Sequence, residues 1–509
     1  MKMEKIELPV LDIQGLDIRL PRGADRELAV QGASLQLLPG QTLCVVGESG
    51  SGKSMIANAI MGLLPRPHVE PVAGKILFDG QDLLQLNESQ LRELRGRRMG
   101  MVFQEPMTAL NPVMRIGEQI AEVFDAHVSL SAAEKRKRIL AALADVGLPE
   151  PEVLIDSYPF RLSGGQRQRV MIACALVLEP ALLICDEPTT ALDVTTQAQI
   201  LKLIRELQQR KGTAVLFITH DFGVVSEIAD QVVVMQTGQV VEAGPAAAVL
   251  AHPQHAYTRK LIAAIPNGQV RTTADEREVE HVLQVQDLRK TYVTGGSLFK
   301  KGRRVEAAKG LSFDVRRGET LGLVGESGSG KSTVGRCIVG LAPFDSGRIL
   351  FKGRALQSGA QFRQQTQGKI QMVFQDPYAS LNPRHRVGSA IAQGPIAQGL
   401  SKEKAMARAM ELLELVGLKP DAADRFPLEF SGGQRQRIGI ARALAMVFIT
   451  HDLRVAGEMS DHLAVMQRGQ IVAYGETAKV LANPQHAYTR TLIEAQPRLS
   501  AAAVEAVAA

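Results

Sequence analysis

Two segments of the chain combine glycine, serine and lysine at the spacing that phosphate binding requires. The first consists of Gly47, Glu48, Ser49, Gly50, Ser51, Gly52, Lys53 and Ser54. The second consists of Gly325, Glu326, Ser327, Gly328, Ser329, Gly330, Lys331 and Ser332. Both fit the pattern G-x-x-x-x-G-K-[ST], in which backbone N–H groups surround phosphate oxygens, the lysine contacts the outer phosphates and the last hydroxyl holds Mg²⁺. They predict two nucleotide sites, with Ser54 and Ser332 as metal ligands.

The residues around both loops support this interpretation. An apolar run, residues 43–46, precedes the first loop, and a helix-compatible run, residues 55–60, follows it. Residues 321–324 precede the second loop in the same way. A strand, a glycine loop and a helix in this order direct the positive N-terminal end of the helix at the phosphates. The alternative, a chance turn rich in glycine and serine, does not explain why the whole pattern occurs twice.

A pair of acids follows another apolar run. Asp186 and Glu187 come at the end of residues 181–185, and in phosphate-loop ATPases an acid at the carboxyl end of a sheet strand holds Mg²⁺. We predict that Asp186 binds Mg²⁺ and that Glu187 orients or deprotonates the attacking water. Gln104 is a candidate to bridge metal and water, and His220 to hydrogen-bond the terminal phosphate. The structural alternatives are a solvated turn for the acids and a packing role for His220.

The composition excludes several classes of function. The chain has 509 residues and a net charge of +6, with 45% hydrophobic and 22% charged residues, as in an ordinary globular protein of two or more domains. The small net charge argues against a dedicated nucleic-acid binder. Four cysteines without a C-x-x-C spacing argue against zinc and iron–sulfur sites. No apolar run approaches the ~18 residues of a membrane span, and no signal peptide is expected.

The chain repeats itself, and the two copies differ in one segment. The offset between matching motifs drifts from 278 to 268 residues and then drops to 231, so about 37 residues are absent between Ala445 and Met446. We predict a first domain over residues 1–265, a linker over residues 266–280 and a second domain over residues 281–509. Apolar strands that alternate with helices predict an α/β fold with a parallel sheet covered on both faces.

Two further segments carry a resemblance to a known family. They consist of Ser163, Gly164, Gly165 and Gln166, and of Ser431, Gly432, Gly433 and Gln434, and both look like the ABC signature sequence. Together with the loops, the acid pair, Gln104, residues 191–193 and His220, they make nearly the whole chain resemble two fused ABC-transporter ATPases. Residues 252–259 and their copy, residues 483–490, resemble a segment of the oligopeptide/dipeptide and microcin C importers. We expect His255 and Tyr257 within it to pack rather than to bind a ligand.

The resemblance implies the remaining features of the molecule. Each half would have a parallel core sheet with helices, an antiparallel β subdomain and a helical signature subdomain. The halves would pair head to tail, with ATP and Mg²⁺ between the phosphate loop of one and the signature of the other. Partners would be transmembrane permease subunits and, through them, a solute-binding protein, at the cytoplasmic face of the bacterial inner membrane. No nucleic acid and no membrane span of its own are expected.

The missing segment would have carried the acid pair of the second half. That half keeps Lys331, Ser332, Gln375, Ser431 and His451. It has no counterpart of Asp186 and Glu187, so we predict one hydrolytic site, in the first half and capped by residues 431–434. The second site, capped by residues 163–166, is predicted to bind nucleotide without hydrolysing it. Tyr292 is predicted to stack on adenine there, whereas the first half has Leu20 at this position.

Three alternatives remain open on the sequence alone. A tandem ABC protein that acts on ribosomes or DNA is disfavoured by the short linker and the absence of C-x-x-C. An importer of another solute, such as glutathione, nickel, an opine or a sugar, is equally compatible, since an ATPase chain does not contact the cargo. The third is a decayed nucleotide-binding scaffold. The missing segment is either a true deletion or a gap in the recorded sequence, and the intact mass of the native protein separates the two.

Overall fold

The computed structural model describes residues 8–24, 26–190, 192–265, 280–294, 303–356, 370, 372, 381–397, 399–430, 438 and 447–496. These residues form two compact units, one with residues 8–192 and 196–265 and the other with residues 193–195 and 280–496. The predicted linker, residues 266–280, lies outside the described residues apart from Glu280. No helix in the described part of the chain is long and apolar enough to cross a lipid bilayer.

Within the described residues the first unit contains ten strands and eleven α-helices, one of which begins with residues 194 and 195 of the other unit. The strands are β1 (Leu11–Arg19), β2 (Leu28–Leu37), β3 (Thr42–Val46), β4 (Glu70–Phe78), β5 (Gln81–Asp82), β6 (Met99–Val102), β7 (Leu182–Asp186), β8 (Ala214–Thr219), β9 (Gln231–Gln236) and β10 (Gln239–Pro245). The helices are α1 (Lys53–Ile60), α2 (Glu88–Leu94), α3 (Pro106–Ala109), α4 (Ile116–His127), α5 (Ala132–Asp145), α6 (Pro151–Leu154), α7 (Gly164–Leu176), α8 (Val194–Lys211), α9 (Phe222–Ile228), α10 (Ala246–Ala251) and α11 (Ala256–Ala263).

Two sheets organise this unit. The core sheet has the order β10-β9-β3-β8-β7-β6, and all its neighbouring strands are parallel except β10, which pairs antiparallel with β9. The second sheet, β2-β1-β4-β5, is antiparallel. Every residue of β3, β7 and β8 is buried, because helices or the other sheet cover both faces. The predicted parallel core sheet and antiparallel subdomain are thus confirmed.

Alternate residues of the core strands belong to two different hydrophobic cores. One face, which includes Cys44, Cys185 and Phe217, packs with helices such as α4, α5, α7 and α8. The other face, which includes Val45 and Ile184, packs with α1 and the antiparallel sheet. Since successive side chains of a strand point to opposite faces, the uninterrupted apolar runs in the sequence follow directly from this double burial. Packing on both faces thus fixes where the carboxyl ends of these strands lie.

The second unit repeats this plan with fewer described elements. Its strands are β11 (His281–Thr294), β12 (Arg303–Arg316), β13 (Leu321–Val324), β14 (Ser346–Phe351), β15 (Arg354–Ala355), β16 (Val447–Ile449), β17 (His462–Gln467) and β18 (Gln470–Glu476). Its helices are α12 (Lys331–Ile338), α13 (Val387–Ala397), α14 (Lys402–Leu415), α15 (Leu453–Met459), α16 (Thr477–Ala482) and α17 (Ala487–Glu494). The antiparallel sheet, β12-β11-β14-β15, matches that of the first unit.

The core sheet of the second unit shows the effect of the missing segment. Its order is β16-β13-β17-β18, and β16 pairs with β13 as β8 pairs with β3. In the first unit β8 is followed by β7 and β6, but within the described residues nothing pairs with the outer side of β16. Each residue of β16 is only partly buried, whereas each residue of β8 is buried. Within the described residues β16 is thus the edge strand of its sheet and is more exposed than β8, which is compatible with the predicted absence of the strand that would bear the acid pair.

Candidate active site

The first phosphate loop joins β3 to α1, and its shape requires glycine at two positions. Gly52 is the N-cap of α1 with a φ of 102°, and Gly47 has a φ of 156°. A Cβ on Gly47 would lie 2.2 Å from the backbone oxygen of Met235, and one on Gly52 would lie 2.5 Å from that of Ala29. Both positions therefore combine a backbone conformation that favours glycine with a close approach of another segment.

Lys53 is held at the centre of this loop. Its side chain is buried, and Nζ donates hydrogen bonds to the carbonyl oxygens of Gly47 at 2.8 Å and Glu48 at 2.9 Å, and to Ser51 Oγ at 3.4 Å. Burial lowers the pKa of Lys53, while the nearby carboxylates act in the opposite direction. The ammonium is thus positioned by the loop backbone itself, where an anionic phosphate oxygen would compensate its burial.

Asp186, the last residue of β7, lies next to Ser54, the last residue of the phosphate-loop pattern. Ser54 Oγ donates a hydrogen bond of 2.9 Å to Asp186 Oδ1, and Asp186 is 8% exposed. Burial raises the pKa of Asp186, against the hydrogen bond from Ser54. A hydroxyl and a buried carboxylate side by side fit Mg²⁺, which takes oxygen ligands and in nucleotide sites shares them with phosphates. Within the described residues no cluster of three or more His, Cys, Asp or Glu side chains forms a separate metal site.

Glu187 adopts an unusual backbone conformation that directs its carboxylate into the site. Its φ is 46°, a region rarely occupied by residues other than glycine, and its N–H donates to the carbonyl oxygen of Ile218 at 3.0 Å. Its Oε2 accepts hydrogen bonds from Gln104 Nε2 at 2.9 Å and from Thr190 Oγ1 at 3.0 Å. His220 Nδ1 lies 3.4 Å from its Oε1. The carboxylate is thus surrounded by three donors from three different segments.

These contacts shift the pKa values of both titratable groups. Burial alone would raise the pKa of Glu187, but the hydrogen bond from His220, together with Thr190 and the charge of Lys53, lowers it below the ordinary glutamate value. The hydrogen bond to Glu187 raises the pKa of His220 in turn, against the effect of burial. Glu187 is therefore ionised at neutral pH, the form in which a carboxylate accepts a proton from water.

The signature residues of the first unit form the start of α7. Ser163 caps the helix: its Oγ accepts a hydrogen bond from the Gln166 N–H at 3.2 Å, and its own N–H donates to Gln166 Oε1 at 3.0 Å. A Cβ on Gly164 would meet nothing within 4 Å, whereas one on Gly165 would lie 2.6 Å from Thr196. The N-terminus of α7 is therefore well defined and free of side-chain bulk at Gly164, which suits contact with an anion.

The second phosphate loop has the same geometry as the first. Lys331 Nζ donates to the carbonyl oxygens of Gly325 and Glu326, both at 2.7 Å, and to Ser329 Oγ at 3.2 Å. Gly330 is the N-cap of α12, as Gly52 is of α1. Burial lowers the pKa of Lys331 to about 8. The hydrogen bonds of the lysine and the glycine cap are thus the same in both phosphate loops.

Of the other site residues predicted in the second unit, two lie within the described residues and five lie outside them. His451 follows β16, and burial lowers its pKa. Tyr292 lies near the end of β11 with 36% of its surface exposed, and the Lys290 ammonium is 5.4 Å from its ring centroid. Leu20, the predicted counterpart of Tyr292, directly follows β1 and is half-buried against the core of the first unit. Five predicted residues lie outside the described residues: Gln375, Ser431, Gly432, Gly433 and Gln434.

Two contacts at the first site were not predicted. Thr190 donates to Glu187, and the Arg26 guanidinium donates to the carbonyl oxygen of Gly50 in the phosphate loop. A hydroxyl three residues after a candidate acid is a signal that could have been used for Thr190, since serine and threonine commonly bond over this distance. Arg26 belongs to the segment between β1 and β2, and nothing in the spacing of the sequence relates it to the loop.

Comparison with known proteins shows the family. The chain matches the ABC transporter family over residues 30–190 and 308–447, and the "Oligopeptide/dipeptide transporter, C-terminal region" family over residues 241–300 and 472–508. It is 43% identical over 540 aligned positions to the "Peptidoglycan transport ATP-binding protein YejF" of Agrobacterium fabrum, covering 98% of each chain. It is 42% identical over 557 positions to the "Glutathione import ATP-binding protein GsiA" of Salmonella typhimurium, covering 96% of this chain and 89% of that protein.

Both alignments are longer than the 509 residues of the chain, so the relatives have residues within the aligned region that this chain lacks. Among solved structures, cbiO1 of Clostridium perfringens is 31% identical and covers 51% of this chain and 96% of its own, with a TM-score of 0.42. With phosphate loops and signature sequences at matching positions of its two halves, the chain belongs to the ABC transporter family of ATP-binding proteins, as an ATPase subunit with two fused halves.

Proposed function

We propose that this protein is the ATP-hydrolysing subunit of an importer and that only its first unit hydrolyses ATP. The observation that carries the proposal is the placement of Glu187. Its ionised carboxylate is held by Gln104, Thr190 and His220 at the end of a strand whose last residue, Asp186, bonds to the phosphate loop. The described residues of the second unit offer a phosphate loop without a comparable acid at β16.

Each residue of the first site has a proposed role in binding the phosphates, holding Mg²⁺ or activating water. The loop N–H groups and Lys53 bind the phosphates, with the helix dipole of α1 behind them. Ser54 and Asp186 would hold Mg²⁺, with Gln104 as a further candidate ligand, and the ion would neutralise developing charge on the phosphates. Glu187 accepts the proton of the attacking water, and Gln104 keeps this carboxylate in place. His220 contacts Glu187 through Nδ1 and is the candidate to donate a hydrogen bond to the terminal phosphate.

The second site is proposed to bind nucleotide without hydrolysing it. Its loop, with Lys331 and Ser332, keeps the phosphate-binding groups, and Tyr292 would stack on the base. Following the family resemblance, the signature of the second half, residues 431–434, would complete the first site, and residues 163–166 would complete the second. Closure on ATP and reopening after hydrolysis would then drive the permease partners.

The proposed cargo is a peptide or a small peptide-like solute. The support is the match of both halves to the oligopeptide/dipeptide transporter C-terminal region, and relatives whose names refer to peptidoglycan and to glutathione import. The subunit would act at the cytoplasmic face of the inner membrane through permease subunits and a solute-binding protein. Uptake of labelled peptides and of labelled glutathione by cells that do or do not express the whole transporter distinguishes the two cargo classes.

Hydrolysis in the first unit is tested with Glu187→Gln. We expect ATP turnover to fall by about 10²–10⁴-fold, the usual contribution of a general base, while ATP binding is retained. Glu93→Gln, an exposed acid on α2, is the matched control and should hydrolyse ATP like the unaltered protein. Turnover that survives in the Glu187 variant would contradict the proposed site.

A further inference from the structure

A tyrosine of the C-terminal region contacts the phosphate loop in each unit. Tyr257, in α11, is 7% exposed, and its hydroxyl oxygen accepts a hydrogen bond from the Glu48 N–H at 3.2 Å. Tyr488, in α17, is 8% exposed, and its hydroxyl accepts from the Glu326 N–H at 2.9 Å. The same contact thus occurs independently in both units.

The loop residue that the tyrosine contacts, Glu48 or Glu326, also accepts a hydrogen bond from the lysine of the same loop. The carbonyl oxygen of Glu48 accepts a hydrogen bond from Lys53 Nζ at 2.9 Å, and that of Glu326 accepts one from Lys331 Nζ at 2.7 Å. A single residue therefore has its N–H bonded to the tyrosine and its carbonyl bonded to the ammonium. Because the tyrosine fixes this part of the loop backbone, it also fixes the position of the ammonium that meets the phosphates.

The start of the tyrosine-bearing helix is itself fixed by local contacts. His255 Nδ1 accepts a hydrogen bond from the Tyr257 N–H at 3.2 Å, so His255 caps α11, and Arg259 Nη1 donates to the carbonyl oxygen of Gln254 at 3.0 Å. The Glu242 carboxylate accepts from the N–H groups of Gln254 at 2.7 Å and His255 at 3.1 Å. His255 has the structural role that was expected for it, because it caps its own helix. Tyr257, for which the same role was expected, in addition contacts the phosphate loop at Glu48.

The second unit has the same histidine cap at the start of its tyrosine-bearing helix, but it has no counterpart of the Glu242 carboxylate at the matching position. His486 Nδ1 accepts from the Tyr488 N–H at 3.2 Å, and Arg490 Nη1 donates to the carbonyl oxygens of Pro484 and Gln485 at 2.9 and 3.2 Å. At the position of Glu242 this unit has Ala473 in β18. The first unit therefore holds the start of its tyrosine-bearing helix with a carboxylate that has no counterpart at the matching position of the second unit.

We propose that Tyr257 and Tyr488 are positioning residues for the phosphate loops, through which the C-terminal region sets the affinity of each unit for nucleotide. The hydroxyl keeps the start of the loop in the arrangement that presents the lysine. Without this hydroxyl, the loop has to become ordered when ATP binds. The free energy that this ordering costs weakens the binding of ATP. The kinetic part of this inference rests on ATP hydrolysis in the first unit, whereas the structural part does not.

The test is Tyr257→Phe in the full chain, which keeps the ring and removes the hydroxyl. We expect the KM for ATP to rise roughly 2- to 10-fold, the equivalent of one hydrogen bond, with kcat unchanged. Hydrogen exchange of the Glu48 amide should become faster by a similar factor, because its acceptor is gone. Tyr474→Phe is the control: this hydroxyl bonds to Asp314 and should affect neither quantity.

Two outcomes would overturn the inference. An unchanged KM in Tyr257→Phe, or a Glu48 amide that exchanges as in the unaltered chain, shows that the tyrosine only packs. If the variant does not fold, Tyr488→Phe provides the same test on the Glu326 amide and on binding of a fluorescent ATP analogue to the second unit. If the unaltered chain does not hydrolyse ATP, the proposed function fails, but analogue binding and amide exchange still decide the role of the tyrosines.

Discussion

His220 Nδ1 lies 3.4 Å from Glu187 Oε1, so the predicted base and the predicted phosphate-binding histidine of the first unit are in contact. The sequence Phe-Ile-Thr-His-Asp places a histidine after the equivalent strand in each unit, at His220 and at His451. The hydrogen bond to Glu187 raises the pKa of His220, whereas burial lowers the pKa of His451. The pKa of the histidine in this motif is therefore shifted in opposite directions in the two units, because Glu187 contacts His220 whereas burial dominates at His451.

The first prediction is that Glu187→Gln lowers the pKa of His220. The neutral amide removes the charge that favours the imidazolium and leaves burial, which disfavours it. NMR titration of labelled histidine side chains measures this directly. His451 is the internal control and should titrate alike in both proteins. An unchanged His220 pKa would show that the two side chains do not interact in solution.

The second prediction concerns stability against pH. The lowered pKa of Glu187 contributes stability above the ordinary glutamate value of 4.5, and the raised pKa of His220 contributes stability below the ordinary histidine value of 6.5. The pair is therefore most stabilising between these two values. Its contribution is lost as pH falls through the folded pKa of Glu187 or rises through that of His220. Urea unfolding of the unaltered protein and of Glu187→Gln should differ most at about pH 5.5.

The third prediction is that Asp186→Asn weakens the response to Mg²⁺. Ser54 Oγ bonds to this carboxylate, and an amide in its place offers the ion no negative charge. We expect the Mg²⁺ concentration for half-maximal turnover to rise roughly tenfold or more, within the range that altered metal sites show. Asp12→Asn, a partly exposed acid of β1, is the control. Equal Mg²⁺ dependence of the two variants would remove Asp186 from the metal site.

Motifs tied to strand ends could be predicted from sequence, whereas contacts that depend on tertiary geometry could not. The loops and Asp186 were identified because an apolar strand fixes where the next residue lies. The φ of Glu187 and the donors Thr190 and Arg26 depend on how a turn is bent and on how a distant segment packs. The contact of Tyr257 with Glu48 joins residues 209 positions apart, and no periodicity in the sequence records it.

The fourth prediction compares two glycines. Gly47→Ala places a Cβ 2.2 Å from the Met235 backbone oxygen, in a conformation whose strain alone costs about 1–3 kcal/mol. We expect ATP binding to be lost and the first unit to be destabilised by more than that strain. Gly32→Ala also has a positive φ, of 59°, but its Cβ would meet nothing within 4 Å, so it should cost only about 1–2 kcal/mol and keep ATP binding. Thermal unfolding with and without ATP checks both variants.

The last prediction is that restoring the missing strand stabilises the second unit. Insertion of a copy of residues 178–214 between Ala445 and Met446 gives β16 a neighbour, as β7 is to β8. Burying the partly exposed residues of β16 should add on the order of 1–3 kcal/mol, the value of one fully buried large apolar side chain. Hydrogen exchange of the Phe448 amide and calorimetry measure the gain, and turnover should no longer depend on Glu187 alone, because the insert carries its own acid pair. A glycine–serine insert of equal length is the control, since it supplies neither strand nor acids. If both inserts protect Phe448 equally, or neither does, the lost strand is not what leaves β16 exposed.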